Sequence, residues 1–126
     1  MSALPCVFCD TPGGELLWRD DFCRVVLGRH AREMTDLTRD ERVRLMDVVF
    51  TVESAVREAM APEKMNVASL GNMVPHVHWH VVPRFRDDPH FPTPPWGPQQ
   101  REARMSQDRH DRASRIPALL ASRLVR

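Results

Sequence analysis

The sequence predicts an α+β protein with a mostly antiparallel sheet, on three observations. Short runs rich in β-branched and aromatic residues are divided by turn signals. One long stretch between them carries apolar residues at helical spacing, and a second helical pattern closes the chain. At 126 residues there is room for one domain with a modest core. Residues 1–100 are expected to form its body, and 101–126 a C-terminal helical extension of the same domain.

Taken in order, the turn signal Thr11-Pro12-Gly13-Gly14 precedes a short strand at 15–19, closed by Asp20-Asp21. A second strand is expected at 22–27, with Cys23, Val25 and Leu27 on one face. Thr38-Arg39-Asp40-Glu41 is a capping box, in which threonine and glutamate each accept from the other's backbone amide. Leu45, Met46, Val49, Val52, Val56, Ala59 and Met60 then recur as a buried helical stripe that Ala61-Pro62 ends. Two more strands are expected at 65–70 and 76–83 around Gly71-Asn72. Pro89, Pro92, Pro94, Pro95 and Pro98 make the following stretch irregular, with Phe91 and Trp96 expected to pin it to the body. The last helix should start near Ser114, tolerate Pro117 in its first turn and bury Ile116, Leu119, Leu120 and Leu124.

Eighteen basic residues against 17 acidic ones leave a formal charge of +1, which argues against binding nucleic-acid backbones as the main role. The many arginines of the C-terminal third read as a solvated helix face, with a local basic patch as the alternative. Met1-Ser2-Ala3-Leu4-Pro5 lacks the basic and apolar regions of a secretory signal, and no apolar run approaches spanning length. The expectation is a cytoplasmic protein without membrane association. Three cysteines, two of them spaced as Cys6-x-x-Cys9, then suggest a metal or redox pair rather than a disulfide framework.

The most informative run is His76-Val77-His78-Trp79-His80-Val81-Val82. Residues two apart in a strand point the same way, so three imidazoles share one face while Val77, Trp79 and Val81 enter the core. Neither packing nor β-propensity explains such a row. Imidazole can bind a transition metal, or act as nucleophile and proton carrier near neutral pH. A metal site of the all-β barrel type would need many short strands where this chain has a long helix.

The pattern His-φ-His-φ-His-φ-φ resembles the signature of the histidine-triad family of nucleotide hydrolases and transferases. With Asn66 to Pro75 before it and Pro83-Arg84-Phe85-Arg86-Asp87-Asp88 after it, the run is similar to a short bacterial branch termed diadenosine-tetraphosphate-hydrolase-like. The resemblance extends from Cys6 to about Trp96. It implies a four- to five-stranded sheet with one long helix packed on it, and homodimers. It also implies that His78 attacks the α-phosphorus of a nucleoside phosphate or dinucleoside polyphosphate, forming a nucleotidyl-histidine that water cleaves. His80 would assist at the phosphate oxygens, and Asn66 and Asn72 would hold ribose or phosphate, with a plain turn role the alternative for Asn72.

Cys6, Cys9, His30 and His76 make a sensible tetrahedral zinc set, similar to that of zinc-bearing family members, and imply a structural zinc. The alternative is two buried thiols and a surface histidine. Cys23 reads as core. No organic cofactor is expected. The chain departs from the family pattern where Asp20-Asp21 runs directly into Phe22, without the usual intervening strand and loop that close the base pocket. That departure keeps open a second function: a non-catalytic nucleotide- or zinc-binding protein with an incomplete substrate site.

Overall fold

The computed structural model describes residues 31–104 and 106–124. The strands expected at 15–19 and 22–27, and with them Cys6, Cys9, Cys23 and His30, lie outside the described residues. A 3-10 turn at Met34–Asp36 leads to α1 (Arg39–Met60), β1 (Lys64–Ala68), β2 (His80–Arg84), α2 (Gln107–Ala113) and α3 (Ile116–Arg123). This is the expected α+β arrangement, with two antiparallel strands among the described residues.

The capping box starts α1 as expected. Thr38 Oγ1 accepts from the Glu41 amide at 3.2 Å, and Glu41 Oε1 accepts from the Thr38 amide at 2.9 Å. At the other end Ala61 takes the left-handed conformation at φ 47° and donates its N–H to the Arg57 carbonyl. The following Pro62 cannot extend the helix. Leu45, Val49, Val52, Val56, Ala59 and Met60 are buried. Met46 is half-buried rather than buried, and Ala55, which the stripe omitted, is the fully covered position. It lies in the cluster where Met65 of the sheet and Leu120 and Leu124 meet α1.

Strands β1 and β2 pair with Asn66 opposite Val82 and Ala68 opposite His80. One face of this ribbon packs on α1. Met65 joins Val52, Val56, Met60, Leu120 and Leu124, while Val77 joins Ala31, Leu37, Leu45 and Val49. Trp79, Val67 and Val81 pack against the second cluster, so the expected alternation holds from Val77 to Val81. The regular ladder does not extend as far: β2 begins at His80 instead of 76 and runs to Arg84, and β1 stops at Ala68. Before it, Val77 donates its N–H to the Ala31 carbonyl at 2.7 Å, which ties this stretch to the segment preceding the 3-10 turn.

The C-terminal region forms two helices where one was expected. Ser106 Oγ caps α2 by accepting from the Arg109 amide. Pro117 has no N–H to offer the Ala113 carbonyl, so the ladder breaks between Ala113 and Ile116 and restarts with proline in the first turn of α3. Leu120 and Leu124 are buried, with Ile116 and Leu119 packed against the same cluster. The arginines here are not merely a solvated face. Arg109 pairs with Asp87 at 2.6 Å and stacks over the Phe85 ring at 3.9 Å, and Arg123 pairs with Glu58 of α1.

The proline-rich segment is irregular but highly connected. Asp88 accepts from the Phe85 amide, and Arg101 Nη1 donates to the carbonyls of Phe91 and Asp88. Gly97 allows a close return, since a Cβ there would lie 2.8 Å from Thr93 Cβ. Trp96 does not pin the segment: it is 63% exposed, and polar contacts do that work in its place.

Candidate functional site

His80 opens β2 and His76 and His78 lie just before it, and the three are not equally exposed. His76 is 1% exposed, His78 half-buried and His80 exposed, so the row grades from the interior to solvent. Sharing a face in sequence thus does not give the three rings equal access to solvent. The His76 backbone enters through a tight turn, with its amide donating to the Val74 carbonyl at 2.8 Å.

His78 is held at both ends. Its own carbonyl accepts from Ser69 Oγ at 2.8 Å, and its Nδ1 lies 2.6 Å from the His76 carbonyl. A carbonyl can only accept, so Nδ1 carries a proton, and in the neutral ring the lone pair is then on Nε2. The His80 ring meets that of His78 edge to face, with centroids 5.1 Å apart and planes at 77°. The arrangement fixes Nδ1 of His78 as a donor and sets an exposed imidazole beside it.

A cleft of about 820 Å³ opens beside this run, lined by residues that include Arg32, Asn72, His76, His78 and Trp79. His80 and Asn66 are not among its lining residues. Asn72 is exposed in the loop between the strands. Asn66 lies on β1, where its Oδ1 accepts from Arg84 Nη1 at 2.7 Å. The structure thus brings His76, His78 and Asn72 to one cleft and places Asn66 and His80 along the ribbon beside it. Cys6, Cys9 and His30 lie outside the described residues, and among the described residues no cluster of three or more histidine, cysteine or acidic groups is placed to hold a metal.

Carboxylates held below their ordinary range lie at the far end of the ribbon from His80. Glu63 is lowered chiefly by the hydrogen bond from Arg86, and Asp87 by that from Arg109. Sequence reasoning missed Arg84, which is only 4% exposed. It continues the even-numbered face of His76, His78 and His80, but so does Arg86, and the sequence does not tell the covered arginine from the exposed one. Ser69, whose hydroxyl bridges to the His78 backbone, carried no signal either.

The HIT domain family matches residues 20–87, more than half of the chain. Among solved structures, a histidine triad protein from Bradyrhizobium japonicum is 30% identical with a TM-score of 0.62, over 79% of this chain and 72% of that one. A histidine triad protein from Marinobacter aquaeolei is 31% identical with a TM-score of 0.59, over 79% of this chain and 70% of that one. A histidine triad family protein from Mycobacterium smegmatis, described as zinc-bound, shares the fold at 21% identity and a TM-score of 0.59, over 93% and 94% of the two chains. No curated protein matches. The chain, with its histidine run inside the matched region, belongs to the HIT domain family.

Proposed function

We propose that this protein is a nucleotide hydrolase or nucleotidyl transferase acting at the α-phosphate of nucleoside phosphates or dinucleoside polyphosphates, in the diadenosine-tetraphosphate-hydrolase-like branch of its family. The observation that carries the proposal is the His78 Nδ1 contact with the His76 carbonyl, because in the neutral ring it assigns the lone pair to Nε2. In the first step a bond forms between Nε2 and the α-phosphorus while the bond to the leaving phosphate, or amine in a phosphoramidate, breaks. In the second, water attacks the same phosphorus, the P–N bond breaks, and neutral His78 is restored with release of the nucleoside monophosphate. His80 meets the non-bridging oxygens, and Asn66 and Asn72 hold the ribose or phosphate. Positioning and charge stabilisation supply most of such catalysis.

Cys6, Cys9, His30 and His76 would hold a zinc ion, a set of two thiolates and two imidazoles suited to a closed structural site. The burial of His76 fits a ligand better than a group that must meet substrate. Such a zinc would contribute to folding and leave no open position for chemistry. We place the protein in the cytoplasm as a homodimer whose partner strand compensates for the segment absent between Asp21 and Phe22. A second reading, a nucleotide- or zinc-binding protein without turnover, is favoured by the separation of Asn66 and His80 from the cleft lining.

The deciding experiment incubates the protein with dinucleoside polyphosphates and nucleoside phosphoramidates and reads intact mass. A nucleotidyl adduct that disappears in His78→Ala, with folding retained, is the expected result. Turnover persisting in His78→Ala would sink the mechanism. Nucleotide binding with neither adduct nor turnover would select the second reading. In the same preparation about one zinc per chain is expected, with a lower melting temperature on chelation; metal-free protein with unchanged melting rejects the zinc site.

A further inference from the structure

We propose that Arg84 is a positioning residue that fixes the Asn66 carboxamide in one orientation, so that Asn66 meets the nucleotide only as a hydrogen-bond donor to its oxygens. The proposal deepens the nucleotide reading and rests on it.

Arginine has no acceptor, so the Asn66 atom that meets Nη1 at 2.7 Å must be the carbonyl oxygen. This removes the usual ambiguity between the two ends of an asparagine side chain. The guanidinium itself cannot turn to follow a flipped amide. Its Nη2 donates to the Thr93 carbonyl at 2.6 Å, its Nε to Asp88 Oδ2 at 3.3 Å, and its plane lies 5.8 Å from the Phe91 ring centroid. A planar fork used in three directions and almost fully covered is a fixed template. Flipping Asn66 would set donor against donor and strip an acceptor from a buried cation.

The register gives this lock a functional direction. Asn66 pairs with Val82, so on that face it stands between His80 on one side and Arg84 on the other. With Oδ1 committed to Arg84, the group left to a ligand is the Nδ2 amide, which has no acceptor among the described residues. A donor next to the histidine row is complementary to phosphate or ribose oxygens. The proline-rich segment, through Asp88, Phe91 and Thr93, then sets the polarity of one substrate contact without touching substrate.

The test is a double-mutant cycle in the full chain, with AMP as the probe and affinity and melting temperature both measured. Arg84→Met should weaken AMP binding by about tenfold in the parent protein and have almost no further effect on affinity in Asn66→Ala, while still lowering the melting temperature in both through the lost Thr93 and Asp88 contacts. Equal losses of affinity in the two backgrounds would overturn the proposal, because a merely structural Arg84 does not act through Asn66. Should Arg84→Met fail to fold, the parent protein suffices. The Asn66 side-chain amide signals, identified by their disappearance in Asn66→Ala, should shift on adding AMP. Signals unmoved by bound AMP overturn the proposal alone, whereas a parent protein that binds no AMP overturns the nucleotide reading with it.

Discussion

The two ends of the β1–β2 ribbon are built on opposite principles. At the Arg84 end a buried guanidinium has its donors satisfied by Asn66, Thr93 and Asp88, and the chain beyond it is laced by further polar contacts from Arg101 and Arg109. At the histidine end the ladder stops at the Ala68–His80 pair, and His76 and His78 lie beyond it. There, among the described residues, the contacts that hold the chain include Ser69 to the His78 carbonyl and Val77 to Ala31. The same stretch of chain thus carries its histidines at one end and its bracing at the other. In the proposed mechanism His78 needs a free approach, and the rigidity that positions it is supplied a few residues away.

If that division is correct, removing the brace should cost most. Arg84→Met leaves Asp88, the Asn66 carboxamide oxygen and the Thr93 carbonyl without their partner, and is expected to destabilise the protein by about 3 kcal/mol, near the lower limit for breaking a buried pair because Asp88 keeps some solvent. Denaturant unfolding measures it. A loss below about 1 kcal/mol would mean that the covered cation contributes little beyond an ordinary surface pair, and the contrast between the ends would collapse.

The apolar underside of the histidine end should come second. Val77 is buried with Leu45 and Val49, and Val77→Ala removes two methyl groups there, for an expected loss of about 2 kcal/mol. Its effect should fall on folding alone, with any His78 adduct retained at temperatures where the variant is folded. Loss of adduct in a folded variant would show that the core position also steers the histidine above it.

Much of this organisation was legible beforehand, for reasons that differ by element. The Thr38–Glu41 box and the stripe from Leu45 to Met60 are local and periodic, so helix α1 emerged with its start and end in place. The inward alternation of Val77, Trp79 and Val81 was equally visible, because period two survives whether or not the backbone is hydrogen-bonded in a ladder. Where the ladder starts was not legible, since that depends on which distant segment reaches the strand. The role of Arg84 was hidden for the same reason: its partners Asn66 and Thr93 are distant in sequence, and nothing local distinguishes it from Arg86, which is exposed and pairs with Glu63. Trp96 erred in the other direction, because large aromatics usually gain from burial yet this one stays in solvent.

Ser69→Ala probes the anchoring of the histidine end. It removes one exposed hydroxyl donor to the His78 carbonyl, so the expected loss of stability is about 0.5 kcal/mol. Turnover should suffer more than stability, since the bond fixes the backbone that carries the nucleophile. A stability loss as large as that of Arg84→Met would reverse the assignment of the two ends.

The smallest expected effect is a pH dependence at the braced end. The hydrogen bond from Arg109, the largest cause, holds the Asp87 carboxyl below its ordinary value, and the Arg86 hydrogen bond does the same for Glu63. Their unfolded counterparts bind protons first as pH falls, so the contribution of each pair is complete above the ordinary carboxylate range. It fades as pH drops through the lowered folded value. Stability should therefore rise with pH across the acidic window up to the ordinary carboxylate range, with a slope that is shallower in Asp87→Asn. Because both carboxylates are solvated, the change in slope should be slight and should shrink further in high salt. An Asp87→Asn protein with an unchanged acid profile would show that Arg109 holds α2 through its stacking on Phe85 rather than through charge.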